Sequence, residues 1–171
     1  MADDIILVDK EDNQIGTGEK MEVHRKGILH RAFSVFVWND QGQLMLQQRA
    51  LSKYHTPGLW SNTCCSHPKP GENTIEAAKR RMQEEMGFDC DLKEEMSIIY
   101  RSQFDNDLIE HEYDHVFFGT YNGEPNINPE EVNAWKWISI NDLLNDVKAN
   151  PDNYTVWFKI ILDRLRNENV F

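Results

Sequence analysis

A chain of 171 residues, 40% hydrophobic and 27% charged, is long enough to bury a real core and too short to divide comfortably, so one domain over residues 1–171 is expected. The formal net charge of −11 argues against nucleic acid as a partner, which selects for a basic stripe. The start, Met-Ala-Asp-Asp-Ile-Ile-Leu-Val-Asp, lacks the positive region and long apolar run of a signal peptide, no stretch reaches membrane-spanning length, and three cysteines, two of them adjacent, make a poor disulfide framework. A cytoplasmic protein with no membrane partner follows. The same charge repels an anionic substrate at long range, so any such ligand must be held by local cations.

In chain order, residues 5–8 and 32–38 are rich in β-branched, aromatic and aliphatic side chains and predict strands. Asn39-Asp-Gln-Gly42 supplies a turn into 43–49, so the pair reads as a hairpin. Asn73 with Glu76 three residues on resembles a capping box, Ile75, Ala78, Met82 and Met86 recur at helical spacing, and Gly87 suits the stop. Residues 98–101, 110–118 and 134–138 predict further strands, and 140–148 and 154–166 closing helices. Mixed strands with helices on both sides predict an α/β/α sandwich with a mixed β-sheet.

The helix at 73–86 carries a recognisable motif. Ser66, Glu72, Arg80, Arg81, Met82, Glu84, Glu85, Gly87 and Phe88 follow the spacing of the Nudix signature, which runs Gly, five residues, Glu, seven residues, then Arg-Glu-apolar-x-Glu-Glu-x-Gly-apolar. Two positions depart from it: Ser66 stands in place of the Gly, and Arg81 in place of the first helical Glu. Elsewhere, Glu110 and Glu112 are two apart in a predicted strand and therefore share a face. Carboxylates so close drive one of them to bind a proton unless a cation sits between. A set of His24, His30 and His67 with these two carboxylates suits a transition-type divalent ion, Mn²⁺ or Zn²⁺. Periodicity does not gather these residues into one site.

A resemblance does. His24 and His30, Arg49-Ala-Leu-Ser-Lys53, Cys65-Ser-His67, Glu85, Tyr100, Glu110-His-Glu112 and Trp157 appear across almost the whole chain in the order found in the type I isopentenyl-diphosphate isomerases, a Nudix-fold family that the chain resembles. The resemblance implies a Nudix fold and 1,3-allylic proton transfer on a small diphosphate, isopentenyl diphosphate. It implies that His24, His30, His67, Glu110 and Glu112 hold the Mn²⁺ or Zn²⁺. A second ion, Mg²⁺, would be held by Glu85, the Cys65 backbone carbonyl and substrate phosphate oxygens, in keeping with the oxygen preference of magnesium. Cys65 and Glu112 would supply the acid and the base, in an order that stays open. Tyr100 and Trp157 would face the cationic carbon, where an aromatic contact is worth roughly 0.5 to 2 kcal/mol when desolvated. Lys20, Arg49, Lys53 and Arg81 would grip the diphosphate. His55, His111 and His115 match nothing and read as structural or surface residues; Cys64 and Trp38, Trp60, Trp135 and Trp137 read as core. Monomer and homodimer both stay open.

Two other readings compete. A Nudix diphosphohydrolase would use Glu84 and Glu85 for magnesium and would have no need of Cys65, the histidines or Glu112; Arg81 in place of an acidic residue weighs against it. A metal-stabilised binding module would not require Arg49, Lys53 and Glu85 in a phosphate-like arrangement.

Overall fold

Strand β3 (His30–Trp38) organises the molecule, because it bonds to neighbours along its whole length. In the computed structural model, which describes residues 4–53, 56–104 and 106–170, it runs parallel to β8 (Ile109–Thr120) from His30↔Glu112 to Trp38↔Thr120. It also pairs antiparallel with β1 (Asp4–Val8) and with the short β6 (Cys64–Ser66). Strand β1 carries β2 (Gln14–Glu19) at its side, and β8 carries the long β7 (Leu92–Gln103). The expected hairpin from β3 into β4 (Gln43–Arg49) exists but opens almost at once, bonding through Trp38↔Leu44. Beyond the turn β4 joins different partners, β5 (Trp60–Ser61) and β9 (Val132–Ser139).

The sheet is mixed and both faces are covered, which gives the α/β/α layering. One face packs Phe33, Val35 and Val37 against the signature helix α2 (Thr74–Met86) through Ala77, Ala78, Met82 and Met86. The other packs Phe36, Leu46 and Val116 against α3 (Ile140–Ala149) and α4 (Val156–Asn167), the latter burying Trp157, Phe158, Ile161, Leu162 and Leu165. A fully buried side chain of this kind stabilises the fold by roughly 1.5–3 kcal/mol, and the alternation of β3 places such side chains on both faces. Helix α2 starts where Asn73 Oδ1 accepts from the Ile75 amide. It stops at Gly87, whose φ of 70° is left-handed and whose missing Cβ makes room for the Asn126 carbonyl, 2.3 Å from where that atom would stand.

The sequence reading missed β2, the short strands β5 and β6, where it placed a loop, and the short helix α1 (Lys20–Lys26). The cap of α1 is Glu19, whose carboxylate accepts from the Met21 and Glu22 amides, and a glutamate is a poor sequence signal for a helix start. The four tryptophans expected in the core, Trp38, Trp60, Trp135 and Trp137, are half-buried and pack on its edges, whereas Cys64 is fully buried. His111 meets the Gly27 carbonyl at the surface, and His55 lies outside the described residues. Among the described residues no helix is long and apolar enough to cross a membrane.

Candidate active site

The site lies on the α4 side of the sheet, where β3 is flanked by β6 and β8. Alternation decides which side chains reach it. On β3 the even positions His30 and Ser34 point there together with the core residue Phe36; on β8 they are Glu110, Glu112 and Asp114. Cys65 stands opposite Ser34 in the β3–β6 ladder, and the Cys-x-His spacing carries His67 back to the same face. Helix α1 brings in Lys20 and His24, and β7 brings Tyr100 directly opposite Glu112.

One cleft collects nearly all the residues that the sequence put forward. Its cationic wall is Lys20, Arg49, Lys53 and Arg81, its acidic wall includes Glu85, Glu110 and Glu112, and Cys65, His24, His67 and Trp157 are also in the lining. His30 and Tyr100 lie behind it, each bonded to Glu112, so of the two aromatic rings expected at the cationic carbon only Trp157 is in the lining. The His30 and His67 Nε2 atoms are 3.3 and 3.0 Å from Glu112 Oε2, and the Tyr100 hydroxyl donates to Glu112 Oε1 at 2.6 Å and to Glu110 Oε1 at 2.9 Å. Ligand atoms of His24, His30, His67 and Glu112 fall within 4.8 Å of one another. Glu110 is not part of that foursome: it sits one step along the same strand face, tied to Tyr100.

The donor set fits a divalent metal ion, and the hydrogen bonds say why. His24 Nδ1 lies 2.6 Å from the Lys20 carbonyl and His30 Nδ1 2.9 Å from the Ile28 carbonyl, so both Nδ1 atoms carry protons and donate. Their Nε2 lone pairs are thereby turned inward, and that of His30 faces a carboxylate oxygen. Two electron-rich atoms at that distance repel unless a cation, a proton or a metal, lies between them. Without a metal the proton takes that place in part. Burial works against it, but the Glu112 carboxylate prevails and raises His30. Burial pushes His67 down to about 3 and lowers His24 as well. Burial would raise Glu112 too, yet its bonds to His30 and His67 hold it well below the ordinary carboxylate range. Tyr100 is raised by burial and by Glu110 and Glu112, so it stays a neutral donor.

Cys65 is a free thiol raised by burial, with Arg49 pulling the other way and Glu85 adding to the rise. Arg49 lies over the Trp157 ring, its guanidinium carbon 5.3 Å from the ring centre, which joins the anion wall to the apolar end of the cleft. Glu85 is buried on α2, where Gln47 Nε2 donates to its Oε1 at 3.0 Å and Arg81 bonds its other oxygen. The outer carboxylates of the signature are engaged elsewhere: Glu72 accepts from Arg80 at 2.7 Å, and Glu84 from Arg80 at 3.1 Å and Arg81 at 2.9 Å. Arg81 therefore stands among Glu84, Glu85 and Glu131, the last at 3.5 Å, and Lys53 is bonded to Glu131. Sequence reasoning missed Gln47, Glu131, Ser34 and Asp114. Each is a common polar residue without a motif, and only the fold brings it beside the cleft.

Comparison with known proteins shows the family. Residues 28–158 match the model of the NUDIX domain family. The chain is 52% identical over 165 residues to isopentenyl-diphosphate Delta-isomerase 2 of Aromatoleum aromaticum, covering 96% of this chain and 87% of that one. It is 50% identical to isopentenyl-diphosphate Delta-isomerase of Serratia proteamaculans, over 96% of this chain and 92% of that one. Among solved structures, DR0079 from Deinococcus radiodurans superposes with a TM-score of 0.72 at 22% identity, over 86% of this chain and 90% of that one. A MutT protein from Methanosarcina mazei Go1 does so with 0.67 at 17% identity, over 82% of this chain and 95% of that one, and at such identities the likeness is one of fold. The chain belongs to the Nudix superfamily and, within it, to the isopentenyl-diphosphate Delta-isomerases.

Proposed function

We propose that this chain, working as one catalytic domain over residues 1–171, interconverts isopentenyl diphosphate and dimethylallyl diphosphate by 1,3-allylic proton transfer in isoprenoid synthesis. The observation that carries the reading is the convergence of a half-buried thiol, Cys65, and a buried carboxylate, Glu112, in one cleft with a cationic wall. A hydrolase needs neither. Moving the double bond requires a proton added at the terminal carbon and another removed from the second carbon, through a transition state with tertiary carbocation character. One acid and one base on opposite sides of the substrate accomplish this. Cys65 and Glu112 take those roles from β6 and β8, the two strands that flank β3.

The remaining residues serve this transfer. Lys20, Arg49, Lys53 and Arg81 hold the diphosphate at the cleft's cationic wall. Tyr100 fixes Glu112 by donating to one of its oxygens, and the Trp157 face lies against the developing cation. Burial excludes the water that would compete for the acid or trap the cation. His24, His30, His67, Glu112 and, from beside them, Glu110 would hold Mn²⁺ or Zn²⁺, with Glu85 and the Cys65 carbonyl holding Mg²⁺. Bound there, such ions supply positive charge that orients carboxylate and diphosphate and favours their anionic forms. The cytoplasm suits the free thiols.

Proton NMR in D₂O with isopentenyl diphosphate and Mg²⁺ tests the reading. Formation of the allylic isomer carrying deuterium is expected; unchanged substrate, or release of phosphate, would return the site to the hydrolase or binding readings.

A further inference from the structure

Gln47 lines the cleft, and the scheme above gives it no task. It is a buried amide on β4, and its Nε2 donates twice: to the Thr63 carbonyl at 2.9 Å and to Glu85 Oε1 at 3.0 Å. A backbone carbonyl can only accept, so the atom that meets Thr63 is the amide nitrogen, and the same atom meets Glu85. Thr63 is itself fixed. It is fully buried, and its hydroxyl donates to the Met45 carbonyl at 2.7 Å and accepts from the Val37 amide at 2.9 Å, which ties it to β4 and β3. A run of buried bonds therefore leads from the middle of the sheet through Gln47 to Glu85 on α2. The other oxygen of Glu85 is bonded by Arg81, one turn earlier on the same helix. Arg81 is a shared partner: it also bonds Glu84 at 2.9 Å and stands 3.5 Å from Glu131. Its charge opposes a metal ion at the same carboxylate, whereas the neutral amide of Gln47 does not.

We propose that Gln47 is a positioning residue for Glu85, pinning its carboxylate from the sheet so that a divalent ion in the cleft meets a ligand already in place. The inference rests on the reading of Glu85 as the Mg²⁺ ligand. The donor chemistry fits that ion: Glu85 is a buried carboxylate in the lining beside the cationic wall, and magnesium takes carboxylate and phosphate oxygens together. The outer carboxylates of the signature helix region, Glu72 and Glu84, are engaged by Arg80 instead. A glutamate without such a support samples several rotamers, and the ion must then order it on binding. Groups that hold a ligating carboxylate by hydrogen bonding carry roughly tenfold to a hundredfold of metal affinity.

The test uses protein loaded with Zn²⁺, which imidazole ligands hold more tightly than Mn²⁺ and which is silent in electron paramagnetic resonance. Mn²⁺, a paramagnetic substitute for Mg²⁺, is then titrated without substrate and its binding read by that resonance. The Mg²⁺ concentration for half-maximal turnover of isopentenyl diphosphate and the thermal midpoint are measured alongside. Wild type, Gln47→Met, Glu85→Gln and the double variant are compared; Met keeps the length of the side chain and removes both donors. Gln47→Met is expected to weaken Mn²⁺ roughly tenfold and to raise the half-saturating Mg²⁺ by a similar factor. The double variant is expected to need Mg²⁺ within about twofold of what Glu85→Gln needs, because a support without its carboxylate has nothing to hold. A Gln47→Met affinity for Mn²⁺ within about twofold of wild type overturns the inference even if the midpoint falls, since that marks a purely structural role. A double variant that shows the full product of the two single effects overturns it as well. If the methionine variant fails to fold, Gln47→Leu is read by the same criteria. Should Glu85→Gln bind Mn²⁺ as tightly as wild type, the reading of Glu85 as an ion ligand fails and takes the inference with it. That result is distinct from a failure of Gln47 alone, where Glu85→Gln is weakened and Gln47→Met is not.

Discussion

Among the described residues, two places put imidazole beside carboxylate, and they make opposite use of it. On the opposite face of the sheet, His115 Nδ1 is 2.8 Å from Glu94 and its Nε2 2.9 Å from Asp12, while Arg31 bonds Asp12 at 2.8 Å. Both ring nitrogens are spent, so this cluster only fastens the turn after β1 to β3 and to the β7–β8 pair. In the cleft, His24 and His30 spend one nitrogen on a backbone carbonyl and keep the other for a shared centre. Residue type is the same in both. What separates a latch from a metal-binding centre is where the second lone pair points, and the backbone decides that.

The largest effect should come from breaking the cleft at its centre. Glu112→Gln and Cys65→Ala are each expected to cut turnover by at least about a thousandfold while the protein stays folded, in the range of losing a general acid or base. Near-normal rates in either would remove that residue from the scheme, whereas His115→Gln assayed alongside should leave turnover unchanged. Chelation should abolish activity, and add-back of Mn²⁺ or Zn²⁺ together with Mg²⁺ should restore it; failure of every divalent ion would count against the donor set. Glu85→Gln is expected to raise the Mg²⁺ concentration needed for half-maximal rate by roughly tenfold to a hundredfold, the scale of a lost metal-site group, read by titrating Mg²⁺ against rate.

A smaller effect concerns pH. His67 is lowered to about 3 and His24 is also lowered, both by burial first, so below about 6.5 the unfolded chain takes up protons that the fold refuses. The metal-stripped protein should therefore lose thermal stability as pH falls from 6.5 to 5. His30 is raised, so its contribution is complete below about 6.5 and fades only above it, and the two windows do not overlap. A midpoint that is flat or rising from pH 6.5 to 5, or a decline as steep in His67→Gln as in wild type, would contradict this. The smallest effect belongs to the latch: a half-exposed ion-pair cluster is worth roughly 0–1 kcal/mol, so His115→Gln should shift the denaturation midpoint only slightly. A larger shift would mean that the N-terminal turn is held mainly from this point.

How legible was all this in the chain? Helix α2 was readable from cap to stop, because Asn73, the spacing of Ile75, Ala78, Met82 and Met86, and Gly87 agree on one local conformation. Strands β3, β7, β8 and β9 showed in their apolar and β-branched runs, although their ends ran further than composition suggested, since ladder bonding extends a strand past its apolar segment. Helix α1 did not show, because its cap is a glutamate and its seven residues leave little periodicity. The placing of Glu110 and Glu112 on one face follows from their spacing alone. That Tyr100 bonds both does not, for it depends on the register Tyr100↔Glu112 across β7 and β8.

The sequence by itself determined most of the longer elements, the signature helix, the family and the names of many residues in the cleft, because those rest on local propensity and on motif spacing. Tertiary structure alone decided which of them meet. It set Glu110 beside Tyr100 and outside the His24, His30, His67 and Glu112 foursome, gave Arg81 and Lys53 to Glu131, and placed Ser34 and Asp114 beside Cys65. The physical reason is that a side chain's partner is fixed by strand register and by long-range pairing, as between Ser34 and Asp114, and no local energy term in the chain encodes such a contact.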